Sequence, residues 1–242
     1  MELRDYAVVV GGIAGVAGFV LSLITLLMKG GENRRTIRSQ LTDVLSRLNT
    51  VNAESRKFRI ETADKKLTPE ISGMFSFHND QRSFLVGQAT YLVEQIPKHV
   101  SNSEFAVIAR AFGSFGDHEK ACHYWERCLS CAKSDYAKGL HSRGFAGYLF
   151  DQGYYDLARQ KFEESISFTS GSDDRNTHTR GETFHRWALA ARAAHFYDEA
   201  EHLLVRSKLE FNRVQSVQLK NHGIQLVECT PALSMLGATT TE

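Results

Sequence analysis

Three stretches in the second half of the chain, FGDHEKACHYWERCL, QGYYDLARQKFEESI and AHFYDEAEHLLVRS, are versions of one pattern, a short turn followed by a helix. Aligned on Ala121, Ala158 and Ala200 they recur at spacings of 37 and 42 residues. Twelve residues before each of these alanines stands another, Ala109, Ala146 and Ala188, preceded by the bulky Ile108, Phe145 and Trp187. Four residues after each comes a large apolar side chain, Trp125, Phe162 or Leu204. Two antiparallel helices joined by a tight turn require this arrangement: small side chains lie where the backbones approach, and large ones fill the adjoining gaps. Gly116 and Gly153 mark the turn, and His195 takes their place in the third copy. Ser101 and Glu104 have the spacing of a capping box at the start of the first helix. With 3 prolines and abundant Ala, Leu, Glu, Lys and Arg, the composition predicts an all-α fold.

These residues resemble the tetratricopeptide repeat family, whose helix pairs carry the same small/large pattern over a unit of about 34 residues. The resemblance covers roughly Asn102 to Val214, and longer connections account for the wider spacing. It implies an α-solenoid of about three helical hairpins, with Ala109, Ala121, Ala146, Ala158, Ala188 and Ala200 packing the repeats. The chain departs from the family in two respects: no proline closes any unit, and Cys128, Ser165 and Ser207 stand where the family usually has alanine. The repeats are therefore degenerate, and a related helical-hairpin solenoid is the alternative. Gln81 to Ile96 would be half of a weaker preceding unit, and Val214 to Glu228 a capping helix over the last apolar face. The resemblance further implies a concave groove lined by the first helix of each unit, which binds extended or helical peptides. The corresponding positions, Arg110, Arg143, His185, Arg186 and Arg192, would make that groove basic. Guanidinium forks would then pair with carboxylates, so an acidic segment or a free C-terminus is the expected ligand. The alternative is that these arginines are the solvated faces of surface helices.

From Tyr6 to Met28 the chain has 23 residues without a charge. As a helix this run reaches roughly 34 Å, enough for a hydrocarbon core of about 30 Å. It opens on Met-Glu-Leu-Arg-Asp and runs directly into Lys29, unlike a cleaved signal peptide, so it reads as a retained single-pass anchor. Lys29, Arg34, Arg35 and Arg38 follow it closely, which puts the C-terminal domain on the cytoplasmic side. Gly11 and Gly15 form a GxxxG, with Ala14 and Gly18 beside it, a face that suits a homodimer. The predicted organisation is an anchor over 1–30, a heptad-patterned helix over 31–60, linker and helix over 61–100, the repeat domain over 101–230 and a tail over 231–242.

In the connecting helix, Ile37, Leu41, Val44, Leu48, Val51 and Phe58 alternate in steps of three and four, with Ser55 breaking the seam and Leu45 widening it. A coiled coil and packing inside the chain account for this stripe equally well. Pro69 and Gly73 mark 61–79 as an irregular linker.

Lys plus Arg number 29 and Asp plus Glu 28, which gives no basic excess for holding nucleic acid. No phosphate loop, nucleophile elbow or HExxH is present, so the chain is read as a binding module and not an enzyme, with no cofactor. The rival reading uses Cys122, Cys128 and Cys131 with His118 and His123 as a metal or redox site. With no second CxxC, these cysteines read first as small core residues of a helix. The overall expectation is a membrane-anchored adaptor that binds a protein partner. A self-associating structural protein is the second alternative.

Overall fold

The structure, a computed structural model, describes residues 33–230. Their regular secondary structure is entirely helical, with no strand among the described residues. The chain divides between Val100 and Ser101 into two compact units. Among the described residues no helix is long and apolar enough to cross a membrane. The Tyr6–Met28 run with its Gly11/Gly15 face, and the 231–242 tail, lie outside the described residues.

The first unit contains α1 (residues 33–61) and α2 (Pro69–Gln95), followed by a 3-10 turn, Pro97–His99. α1 buries Leu41, Leu45, Leu48, Val51 and even Ser55, so Leu45 takes the inward place expected for Val44. Phe58 meets the ring of Phe75 edge-on at 5.1 Å, while Gln40 and Val44 near the other end share a depression with Tyr91 and Leu92 of α2. The two helices are therefore antiparallel, and the α1 stripe is buried within the chain.

The expected linker over 61–79 is corrected to a shorter one, because α2 already begins at Pro69. Proline is well placed at the first helical position, where its missing N–H would have no partner anyway, and the Thr68 side chain caps the turn by accepting from Ile71 N–H. Gly73, read as a breaker, lies inside the helix.

The second unit comprises α3 (Asn102–Ser114), α4 (His118–Cys131), α5 (Asp135–Asp151), α6 (Tyr155–Phe168), α7 (Asp174–Ala193), α8 (Tyr197–Arg213) and α9 (Val217–Glu228). α3 packs on α4, α5 on α6 and α7 on α8, and α5 touches both α3 and α7. The six alanines of the repeat pattern lie inside these pairs with 0–1% of their surface exposed. Successive pairs are joined by aromatic stacks at equivalent positions: Trp125 on Phe145 at 5.8 Å, and Phe162 on Trp187 at 5.2 Å. Each stack contributes about 0.5–1.5 kcal/mol beyond the area it buries. The Ser101–Glu104 capping box forms, and Ser134 and Asp173 cap α5 and α7.

All three turns inside the pairs are Schellman motifs. Asp117 N–H reaches Phe112 C=O and Gly116 N–H reaches Gly113 C=O; Tyr154/Leu149 with Gly153/Phe150, and Phe196/Ala191 with His195/Arg192, repeat the arrangement. The motif needs a left-handed residue, and Gly116, Gly153 and His195 have φ of 77°, 82° and 65°. His195 thus adopts a backbone conformation that glycine takes without cost.

Ser165 and Ser207, at equivalent positions of α6 and α8, have a structural role. Ser165 Oγ donates to Gly139 C=O at 2.7 Å, and Ser207 Oγ donates to Gly181 C=O at 2.8 Å. Both glycines mark a close approach: a Cβ on Gly139 would lie 2.9 Å from Thr169 Cγ2, and one on Gly181 2.6 Å from Phe211 Cε1. α9 closes the end of the row on α7 and α8, with Phe211 fully buried between Gly181 and Gly223. It starts at Val217 rather than near Val214, because the Asp174 carboxylate accepts Gln215 N–H at 2.7 Å and Ser216 N–H at 2.8 Å.

Candidate functional site

α3, α5 and α7, the first helices of the three pairs, line a concavity of about 730 Å³. It stays open because small residues face it: Gly113 and Ser114 from α3, Gly144 and Gly147 from α5, Ala190 and Ala193 from α7. Two of the glycines are required by packing, since a Cβ on Gly113 would lie 2.5 Å from the Tyr148 ring and one on Gly144 would lie 2.9 Å from the Trp125 ring. Gly147 differs, because a Cβ there would meet nothing within 4 Å. Its bare backbone faces open space. Leu140, Phe162 and Leu189 supply apolar walls.

Of the basic residues expected at such a groove, Arg110, Arg143 and Arg186 line it. They differ in availability. Arg143 Nη1 lies 2.9 Å from Glu182 Oε2 and its side chain is only 13% exposed, so it ties α5 to α7 as a structural ion pair. Arg110 and Arg186 are exposed, and among the described residues neither forms an ion pair. Partial desolvation in the concavity holds the Arg110 guanidinium below its usual value. Asp151 is the acid among the lining residues, and burial raises its carboxyl above the ordinary range.

His185 and Arg192 are not at the concavity. His185 is buried on the other side of α7, where its Nε2 lies 2.9 Å from Thr230 Oγ1, just after α9. Adjacent helical residues point about 100° apart, and with Arg186 at the concavity His185 is turned away toward α9. Arg192 is half-buried.

The cysteine-rich α4 scatters its thiols. Cys128 is in the core, where burial pushes its pKa up to about 12, while Cys131 is exposed. Cys122 Sγ lies 3.5 Å from His118 Nε2, and burial raises that thiol also. A raised pKa keeps these groups as thiols, the weak form for ligation and attack. Among the described residues no cluster of three or more His, Cys, Asp or Glu is placed to hold a metal ion.

Sequence reasoning missed the small residues that shape the concavity. Gly144 and Gly147, three apart on a predicted helix and therefore on one face, carried that signal. Compared with known proteins, the chain matches no family model, no curated protein and no solved structure.

Proposed function

We propose that the chain is a membrane-anchored adaptor, whose TPR-like solenoid holds an acidic peptide segment of a protein partner in the concavity of α3, α5 and α7 on the cytoplasmic side. The observation that carries this reading is the pair of exposed, uncompensated guanidiniums, Arg110 on α3 and Arg186 on α7, bordering a floor of glycine and alanine. Small side chains let a ligand backbone approach closely, the apolar walls accept its hydrophobic residues, and the arginines form forked bonds to its carboxylates. Equivalent buried alanines, repeated aromatic stacks and three matching turns support the TPR-like solenoid reading. Anchoring through Tyr6–Met28 would raise the local concentration of the groove at a membrane, which strengthens a weak contact without new interface. The reading assigns no catalytic step and no nucleic-acid partner.

Proximity labelling from the C-terminal domain, with the wild-type chain and with Arg110→Glu/Arg186→Glu, tests it. Arg143 is left alone, because reversing it would strand Glu182. The expected result is loss of a defined set of neighbours carrying acidic segments. An unchanged set of labelled proteins refutes the groove as the binding site.

A further inference from the structure

α2 has a second apolar face, turned away from the residues it buries, with Tyr91 at its edge beside Gln40 and Val44 of α1. Phe77, Phe84 and Tyr91 keep 52%, 66% and 68% of their surface exposed. They are seven residues apart, so they form one stripe along the helix. On the same stripe lie Gly73, one turn before Phe77, Asp80, between Phe77 and Phe84, and Gly87, between Phe84 and Tyr91. A Cβ at Gly73 or at Gly87 would meet nothing within 4 Å among the described residues, so packing among them asks for glycine at neither place. In a helix interior glycine is the costliest residue after proline, and its commonest return is close approach by another backbone.

The order of large and small positions identifies the partner. When α2 is laid antiparallel on a second copy, with Arg82 level with the two-fold axis, Phe77 falls opposite Gly87, Tyr91 opposite Gly73 and Phe84 opposite Asp80. Each ring meets a position with no bulky side chain. An isologous interface needs such self-complementarity, and symmetry then supplies every contact twice.

The area sets the strength. At about 150–250 Å² of buriable surface per aromatic side chain, the three rings present roughly 400 Å² on each copy, about half of the 800 Å² that each partner contributes to a standard interface. That extent fits a reversible dimer. Asp80 of the two copies would lie near each other across the axis, which weakens the pairing further.

We infer that the exposed aromatic and glycine face of α2 is a homodimer interface, formed by two copies of this chain with their α2 helices antiparallel. It does not depend on what occupies the groove of the second unit. Sedimentation equilibrium of the full chain in detergent tests it, with Phe84→Glu, Gly87→Leu and Asp80→Ala. The wild type should show a concentration-dependent dimer, which Phe84→Glu and Gly87→Leu weaken at least about tenfold and Asp80→Ala tightens. Because a Cβ at position 87 would meet nothing within 4 Å among the described residues, Gly87→Leu should keep the Tm of the dilute, monomeric chain, which separates a lost interface from a lost fold. Disulfide trapping fixes the direction: with Cys131 and Cys229 replaced by Ser, Phe77→Cys on one chain should couple to Gly87→Cys on another. A wild type that stays monomeric, a dimer indifferent to Phe84→Glu and Gly87→Leu, as pairing through Gly11 and Gly15 would give, or coupling of Phe77→Cys to itself overturns the inference.

Discussion

Replacing Gly223 by alanine should destabilise the second unit, although alanine is the better helix former. In an open position of a helix the exchange stabilises by about 1 kcal/mol. At Gly223 the new Cβ would overlap Cδ1 and Cγ of Phe211. That ring cannot move away, since it is fully buried and backed by Gly181, where a Cβ would already lie 2.6 Å from Cε1. α9 must shift instead. Overpacking of this kind costs about 1–3 kcal/mol, and release of α9 sets the ceiling, since uncovering a phenylalanine loses about 1.5–3 kcal/mol. After the helix-propensity gain is subtracted, the net loss is up to about 2 kcal/mol, which lowers Tm by up to roughly 6–8 °C for a unit of this size. Thermal melts followed by far-ultraviolet circular dichroism would measure it, with Gly147→Ala as the control expected to stabilise by about 1 kcal/mol. Shortening the ring with Phe211→Leu should relieve the Gly223→Ala penalty in the double variant. If Gly223→Ala raises Tm as Gly147→Ala does, the packing of α9 on Phe211 is wrong.

The serine bonds give a second test: Ser207→Ala, and separately Ser165→Ala, should each cost about 1 kcal/mol in urea unfolding, and a neutral result would mean that these hydroxyls do not hold the pairs together. Stability should fall on acidification. Burial holds His141, His178 and His185 below the usual 6.5, so beneath that pH the unfolded chain takes up protons that the folded one refuses. Their contribution is complete above pH 6.5 and is lost as pH drops through this window; an increase in Tm between pH 7.5 and 5 would contradict it. A thiol reagent at pH 8 should modify exposed Cys131 and Cys229 quickly, Cys122 slowly and Cys128 only after unfolding. Fast reaction of Cys128 would revive the redox reading.

The repeats were legible because their spacing is dictated by backbone approach: where helices touch, only small residues fit, and the six alanines record it. His195 could be placed at a turn from alignment with Gly116 and Gly153 alone, although a residue with a Cβ takes the left-handed conformation less readily than glycine. The groove was only partly legible. Listing arginines on first helices found Arg110, Arg143 and Arg186. It could not show that Arg143 is taken by Glu182, a carboxylate 39 residues further on, or that His185 turns away toward α9. α2 was cut short because Pro69 and Gly73 were read as breakers. The same proline starts a helix when a cap precedes it, and Gly73 lies on a face that packing within the chain leaves open.

Selection of peptides from a randomised displayed library, first on the full wild-type chain and then on Gly147→Leu, tests the groove most directly. A Cβ at that position would meet nothing within 4 Å among the described residues, so a leucine there projects into the concavity and takes up space that the ligand would use. The account predicts that peptides enriched in Asp and Glu bind the wild type and fail on Gly147→Leu, while Tm does not fall. Selected sequences without acidic residues, or acidic ones that bind both chains equally, would contradict it.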